Sequence, residues 1–183
     1  MPKLSKQIIV AALAHAVWQV IGPGFGRIGD WATAIPASTA VAAPPVSRAP
    51  AGIARTTAPA LVDAPVAGRV CTTGIRLIPQ LTENLIAYHD ANRSLTYQAT
   101  GMPGFVATAR NTWTVTPLGE RRCRVTLDAQ FNARGLLGAI ARQLLLLQAG
   151  RTSRHLADDL SHYVEHGTPS PRKQRQLART RRP

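Results

Sequence analysis

Hydrophobic and polar positions alternate most regularly in the middle of the chain. In "FVATARNTWTVTP" (105–117), Phe105, Ala107, Ala109, Asn111, Trp113 and Val115 share one face. Val106, Thr108, Arg110, Thr112, Thr114 and Thr116 share the other. In "RVTLDAQF" (124–131), Val125, Leu127, Ala129 and Phe131 alternate with Thr126, Asp128 and Gln130. Period-two alternation with one apolar face predicts an antiparallel sheet covered on one side only. "VAGRVCTTG" (66–74), "TENLIAYHD" (82–90) and "SLTYQATG" (94–101) read as further strands, the last two joined by a turn at "DANR". Residues 6–12 and 35–42 read as shorter strands, and 15–21 and 25–33 as two short helices.

After Gly135 the period changes. Leu137, Ile140, Leu144 and Leu147, then Leu156, Leu160 and Tyr163, recur at spacings of three and four. This predicts one amphipathic helix of about 30 residues, roughly 45 Å long. Gly150 marks its weakest part and a possible bend, and Gly167 and Pro169 end it. The stretch "APPVSRAPAGIARTTAPALVDAP" (43–65) has no clear period and is rich in Ala and Pro, so it reads as a long loop.

One glycine pattern invites a different reading. Gly24, Gly26 and Gly29 spell the G-x-G-x-x-G of dinucleotide-binding folds. That fingerprint needs a strand before it, a helix after it and a carboxylate about 20 residues on. Here "HAVWQVI" precedes it with helical spacing, Pro36 cuts short any helix that follows, and no acid occurs between Asp30 and Asp63. The glycines and Pro23 are read as turns between two short helices. A parallel nucleotide-binding sheet would also show continuous apolar strands, which this chain lacks.

Composition changes the picture at the ends. The chain has 183 residues and a formal net charge of +13. Arg172, Lys173, Arg175, Arg179, Arg181 and Arg182 all follow Gly167, where no acid occurs. Such a segment has little apolar surface to offset its ordering entropy, so residues 168–183 are expected to be a disordered basic tail on a domain of residues 1–167. Lys3 and Lys6 precede "IIVAALA", and Ala12-Leu13-Ala14 resembles a leader cleavage site. The apolar run is only seven residues long, and a cytoplasmic location is expected. No apolar run reaches a membrane span. Cys71 and Cys123 lack metal-site spacing and read as buried free thiols.

The order of strand, two short helices, six strands and long helix resembles the START-like, polyketide cyclase/dehydrase superfamily (SRPBCC). The residues that carry the resemblance are "HAVWQVI" with "WATAIP", "TENLIAYHDANRSLTYQATG", "NTWTVTPLGERRCRVTLDAQF" and "GLLGAIARQLLLLQAGRTSRHLADDLSHYVEHG". It spans about residues 6–166 and lies in order and pattern more than in an invariant catalytic motif. The resemblance implies an α+β helix-grip fold: a curved seven-stranded antiparallel sheet around the C-terminal helix, with a cavity between them. It implies binding of lipids, polyketides or other hydrophobic molecules, with cyclisation or dehydration in some members. It also implies that Cys71 and Cys123 lie on non-neighbouring strands, which argues against a disulfide. The 43–65 loop departs from the tighter connection usual in that family.

Asn111 is the sharpest candidate for chemistry, being the strongly polar side chain on an otherwise apolar face. A buried amide needs partners, and a ligand carbonyl or hydroxyl would serve, as would the backbone or a buried water. Tyr97 alternates with Leu95 and Ala99 and is expected inward as a second polar contact. By strict alternation Glu83 and Tyr88 fall on opposite faces of one strand, and Tyr88, sharing its face with Ile86, is expected inward. An inward Glu83 would instead be a general-base candidate with a raised pKa. Trp113, Phe131, Leu127 and Leu144 are expected to line or fill the cavity with Tyr88, and Trp18 and Trp31 to pack helix against sheet. His162 and His166 stand four apart without a third ligand, so no metal is expected, and neither is a cofactor.

The expected function is binding of a small hydrophobic ligand. In a catalytic version, Asn111 and Tyr97 would polarise a carbonyl of a polyketide-like substrate. The alternatives are a protein that acts through its surface, or charge-driven contact of residues 172–182 with nucleic acid or an anionic membrane.

Overall fold

The structure, a computed structural model, describes residues 3–43, 61, 63–76, 78–104, 106–133 and 155–180. Seven strands form one antiparallel sheet: β1 (Lys3–Val10), β2 (Ala37–Val41), β3 (Gly68–Ile75), β4 (Ile78–His89), β5 (Ser94–Thr100), β6 (Val106–Gly119) and β7 (Arg122–Ala133). Across the sheet they run β1-β7-β6-β5-β4-β3-β2. Helix α1 (Ala14–Ile21), a 3-10 turn (Phe25–Arg27) and α2 (Ile28–Trp31) carry the chain from one edge strand to the other. Helix α3 occupies residues 155–166 and ends where Gly167, at φ +70°, donates its N–H to the Tyr163 carbonyl. This is the helix-grip order. The expected helix over 136–154, with Leu144 and Gly150, and nearly all of the 43–65 loop lie outside the described residues.

Helix α1 buries Ala14, Val17, Trp18 and Ile21, one stripe at spacings of three and four. The stripe packs into a single core with Leu85, Leu95, Tyr97, Trp113, Val115, Val125 and, from α3, Leu160. The opposite face of the sheet is polar. There Thr96 and Thr112 hydrogen-bond across β5 and β6 at 2.9 Å. The two cysteines are buried and free, on β3 and β7, which are not neighbours.

The glycines of the G-x-G-x-x-G pattern serve packing. A Cβ on Gly26 would stand 2.6 Å from the Ala40 Cβ, and one on Gly29 2.5 Å from the Ser38 nitrogen. Their absence lets the 3-10 turn and α2 lie directly on β2. Ser38 fastens the contact: its Oγ accepts from the Gly29 N–H at 2.9 Å and donates to the Gly26 carbonyl at 2.8 Å.

The basic tail departs from expectation. Residues Pro171–Thr180 form a helix, α4. Polar contacts order it in place of apolar burial. Asp159, buried on α3, accepts from the Thr33 N–H at 2.7 Å and from Ser170 Oγ at 2.6 Å. Lys173 is fully buried, and its ammonium donates to the carbonyls of Ile35 and Pro36 and to Gln176 Oε1. Composition alone does not reveal these partners, because they come from residues 33–36 and α3.

Candidate functional site

Cross-strand register sets the candidate residues beside one another. Asn111 lies opposite Tyr97 on β5 and Ala129 on β7. Trp113 lies opposite Leu95 and Leu127, and Phe131 opposite Ala109. Side chains that face each other across a ladder share a sheet face. Asn111, Tyr97, Trp113, Leu127 and Phe131 therefore sit together on the concave face. Asn111 is half-buried and makes no side-chain hydrogen bond among the described residues. Leu144 lies outside the described residues.

The opposite-face reading of Glu83 and Tyr88 is corrected by a β-bulge. The β4–β5 register shifts between Leu85 and Ala87, leaving Ile86 as the extra residue. A bulge changes the parity of the strand beyond it. Glu83, Leu85 and Tyr88 are consequently all buried, and Tyr88 does not share its face with Ile86 in regular alternation. Tyr88 is also already partnered. Its hydroxyl donates to Asp90 Oδ1 at 3.2 Å, the Trp18 indole donates to the same oxygen at 2.7 Å, and the two ring centres lie 5.4 Å apart with the planes tilted by 36°.

Glu83 meets a residue that the strand patterns did not single out. Arg69 on β3 lies opposite it in register, and Arg69 Nε donates to Glu83 Oε2 at 2.5 Å. A second guanidinium nitrogen donates to the Phe25 carbonyl at 2.7 Å. The guanidinium stacks 4.0 Å from the Phe25 ring centre and 5.3 Å from that of Tyr97. The available signal was charge on a buried face: Arg69 alternates with Cys71, and the facing strand carries Glu83 at the matching register.

The electrostatics follow from burial. Burial works against the Arg69 charge, but Glu83, with smaller help from its neighbours, more than restores it, so the guanidinium stays cationic. Burial and then the Glu83 charge push the Cys71 thiol up to about 12, which leaves it a poor nucleophile. Burial, followed by Glu83, also raises the Tyr97 phenol above its ordinary range. Tyr97 is thus held as a neutral hydroxyl, able to donate a hydrogen bond, beside an amide that can both donate and accept.

Two narrow gaps flank Trp113. One is lined by Phe25, Ile28, Trp31, Arg69 and Leu95; the other by Lys6, Ile8, Val125, Leu127 and Leu156. Trp113 borders both. Among the described residues no three His, Cys, Asp or Glu side chains gather as a metal site, and no helix is long and apolar enough to cross a membrane. His162 and His166 stack at 4.3 Å on α3.

No curated protein sequence matches the chain significantly. Solved structures do. A START superfamily protein from Mycobacterium smegmatis superposes with a TM-score of 0.61 at 18% identity, over 91% of this chain and 99% of that one. The Zhui aromatase/cyclase from Streptomyces sp. R1128 gives 0.65 at 14% identity, over 92% and 98%. Norcoclaurine synthase from Thalictrum flavum, solved with dopamine and hydroxybenzaldehyde, gives 0.63 at 18% identity, over 90% and 87%. At these identities the likeness is one of fold. The sequence itself goes further, since residues 1–165 match the profile of one family. The chain belongs to the polyketide cyclase / dehydrase and lipid transport family.

Proposed function

We propose that the protein binds a small hydrophobic ligand between the concave face of the sheet and the C-terminal helix, with its polar end held by Asn111 and Tyr97. The observation that supports this most directly is the pairing of these two side chains across β5 and β6, with Leu95, Trp113 and Ala129 beside them on the same face. An amide with no side-chain hydrogen bond among the described residues, beside a neutral phenol, suits a carbonyl or hydroxyl on a ligand. Trp113, Leu127 and Phe131 supply apolar walls. Ligand pockets usually enclose about 300–1,000 Å³. The gaps on either side of Trp113 are far smaller than that, so a ligand of this size needs the surrounding side chains to move apart.

The catalytic form of this reading is cyclisation or dehydration of a polyketide-like chain. Hydrogen bonds from Asn111 and Tyr97 would polarise a carbonyl, and positioned groups of this kind contribute about 10² to 10⁴ in rate. Glu83, a buried carboxylate on the same sheet face, is held by Arg69, so the geometry supports binding more strongly than base catalysis.

Native mass spectrometry of gently purified protein, followed by denaturation and analysis of what is released, tests the binding reading. A released apolar compound supports it. So does uptake of a fluorescent apolar probe that Asn111→Ala weakens and Trp113→Phe alters, with the fold intact. A protein that carries nothing and takes up no probe overturns it.

A further inference from the structure

We propose that α4 is an electrostatic docking face for an anionic bilayer. Arg172, Arg175 and Arg179 stand at i, i+3 and i+7 on α4, and all three are exposed. Positions so spaced lie along one side of a helix. The helix contains no acidic residue to neutralise them. Its remaining cation, Lys173, points the other way. The Lys173 ammonium is shut in by the carbonyls of Ile35 at 2.9 Å and Pro36 at 3.1 Å and by Gln176 Oε1 at 3.0 Å. Gln176 Nε2 donates to the Thr33 carbonyl at 3.1 Å. The inner side of α4 is therefore committed to fixing the helix, while the outer side holds three guanidinium groups in a row. Arg172 also reaches His155, and Arg175 Nε donates to the Pro171 carbonyl at 3.2 Å.

A surface of this kind reads charge. No aromatic side chain occurs in α4 for stacking on bases, and its exposed residues include no large apolar group for insertion. The place of attachment favours a bilayer. Residues 33–36, which hold Lys173 and Gln176, continue directly from α2, whose Ile28 and Trp31 line the gap beside Arg69. This inference rests on the apolar-ligand reading: such a ligand partitions into lipid, and a charged face next to the ligand space would bring the carrier to its source.

The test is co-sedimentation of the full chain with vesicles of phosphatidylcholine alone, or with about one-third phosphatidylserine. Binding is expected only with the anionic lipid, and is lost near 1 M salt, where charge is screened beyond about 3 Å. Each arginine near an anionic surface is worth about fivefold in partitioning, so the triple variant R172S/R175S/R179S is expected to bind about a hundredfold less. The charge-conserving R172K/R175K/R179K is expected to bind like the unaltered protein. Far-UV circular dichroism and uptake of an apolar probe check that the fold and the cavity survive. Failure to bind anionic vesicles, equal binding to neutral ones, or unchanged binding by the folded triple serine variant overturns the proposal. Binding to duplex DNA without binding to vesicles overturns it in favour of nucleic acid. Docking is read by co-sedimentation and the cavity by probe uptake without vesicles, so each can fail alone.

Discussion

The Glu83 carboxylate meets the Arg69 guanidinium at 2.5 Å directly across the β3–β4 ladder, with both groups withdrawn from water. Breaking such a pair by removing one partner strands a buried charge, which costs about 3–5 kcal/mol. Glu83→Ala is expected to lower the urea midpoint by a corresponding amount. The double replacement R69M/E83L, which removes both charges, is expected to cost less than Glu83→Ala alone. A double variant as unstable as the sum of the two single variants would show that the pair does not act as a unit.

Alkaline pH is expected to destabilise the protein through its buried thiol and phenols. Cys71 titrates near 9 when free and is pushed up to about 12 by burial and Glu83. Between those values the folded chain keeps a proton that the unfolded chain releases. Stability is then fully present below pH 9 and falls as pH rises through the window. Tyr88 and Tyr97, also raised chiefly by burial, add to the fall above their ordinary range. Lys173 acts in the opposite sense. Burial lowers its pKa, so just below 10.5 the unfolded chain holds the extra proton and rising pH adds stability. Urea midpoints at pH 8, 9 and 10, in reductant, should show a slope that flattens in Cys71→Ala and steepens in Lys173→Met.

The two glycines under β2 make a sharper test of packing. Gly29→Ala places a Cβ against the Ser38 backbone nitrogen, which has no flexible end to give way. Overpacking of this kind costs about 1–3 kcal/mol. Gly26→Ala meets the Ala40 side chain and is expected to fall in the same range. Gly74→Ala, with nothing within 4 Å of the new Cβ, is the control and should leave thermal stability nearly unchanged.

Asp159 joins α4 to the rest of the domain through Thr33 and Ser170. Asp159→Ala leaves a part-buried N–H and a buried hydroxyl without their acceptor, at up to about 1–3 kcal/mol each. The expected local consequence is release of α4. Limited trypsin digestion, read by mass spectrometry, should cut after Arg172, Arg175 or Arg179 faster in the variant than in the unaltered protein. Equal rates would mean that Lys173 and Gln176 hold α4 without Asp159.

The strands were legible because each concave face had to be apolar. The alternation around Trp113 and Leu127 predicts both their sheet face and their company. The G-x-G-x-x-G pattern was legible as packing from what its surroundings lack. Parity along β4 is not legible, because the bulge at Ile86 leaves no mark that single-sequence alternation can detect, and strict alternation puts Glu83 on the wrong face. Arg69 is hidden for a related reason: its partner lies on the next strand, and only register brings them together. The order of α4 was hidden in composition because it comes from distant carbonyls around Lys173 rather than from the helix's own apolar content.

The pairing of β1 with β7 has a consequence for how the chain folds. Val10 lies opposite Cys123, and Lys3 opposite Gln130. The meander from β3 to β7 can zip up hairpin by hairpin, each step closing a short loop. The first strand has to wait until residues 122–133 have been synthesised before its sheet neighbour among the described residues exists. Contacts so far apart in sequence slow folding. During translation β1 and the apolar stripe of α1 are therefore uncovered longer than any other part of the core, and a nascent-chain chaperone would find its target there.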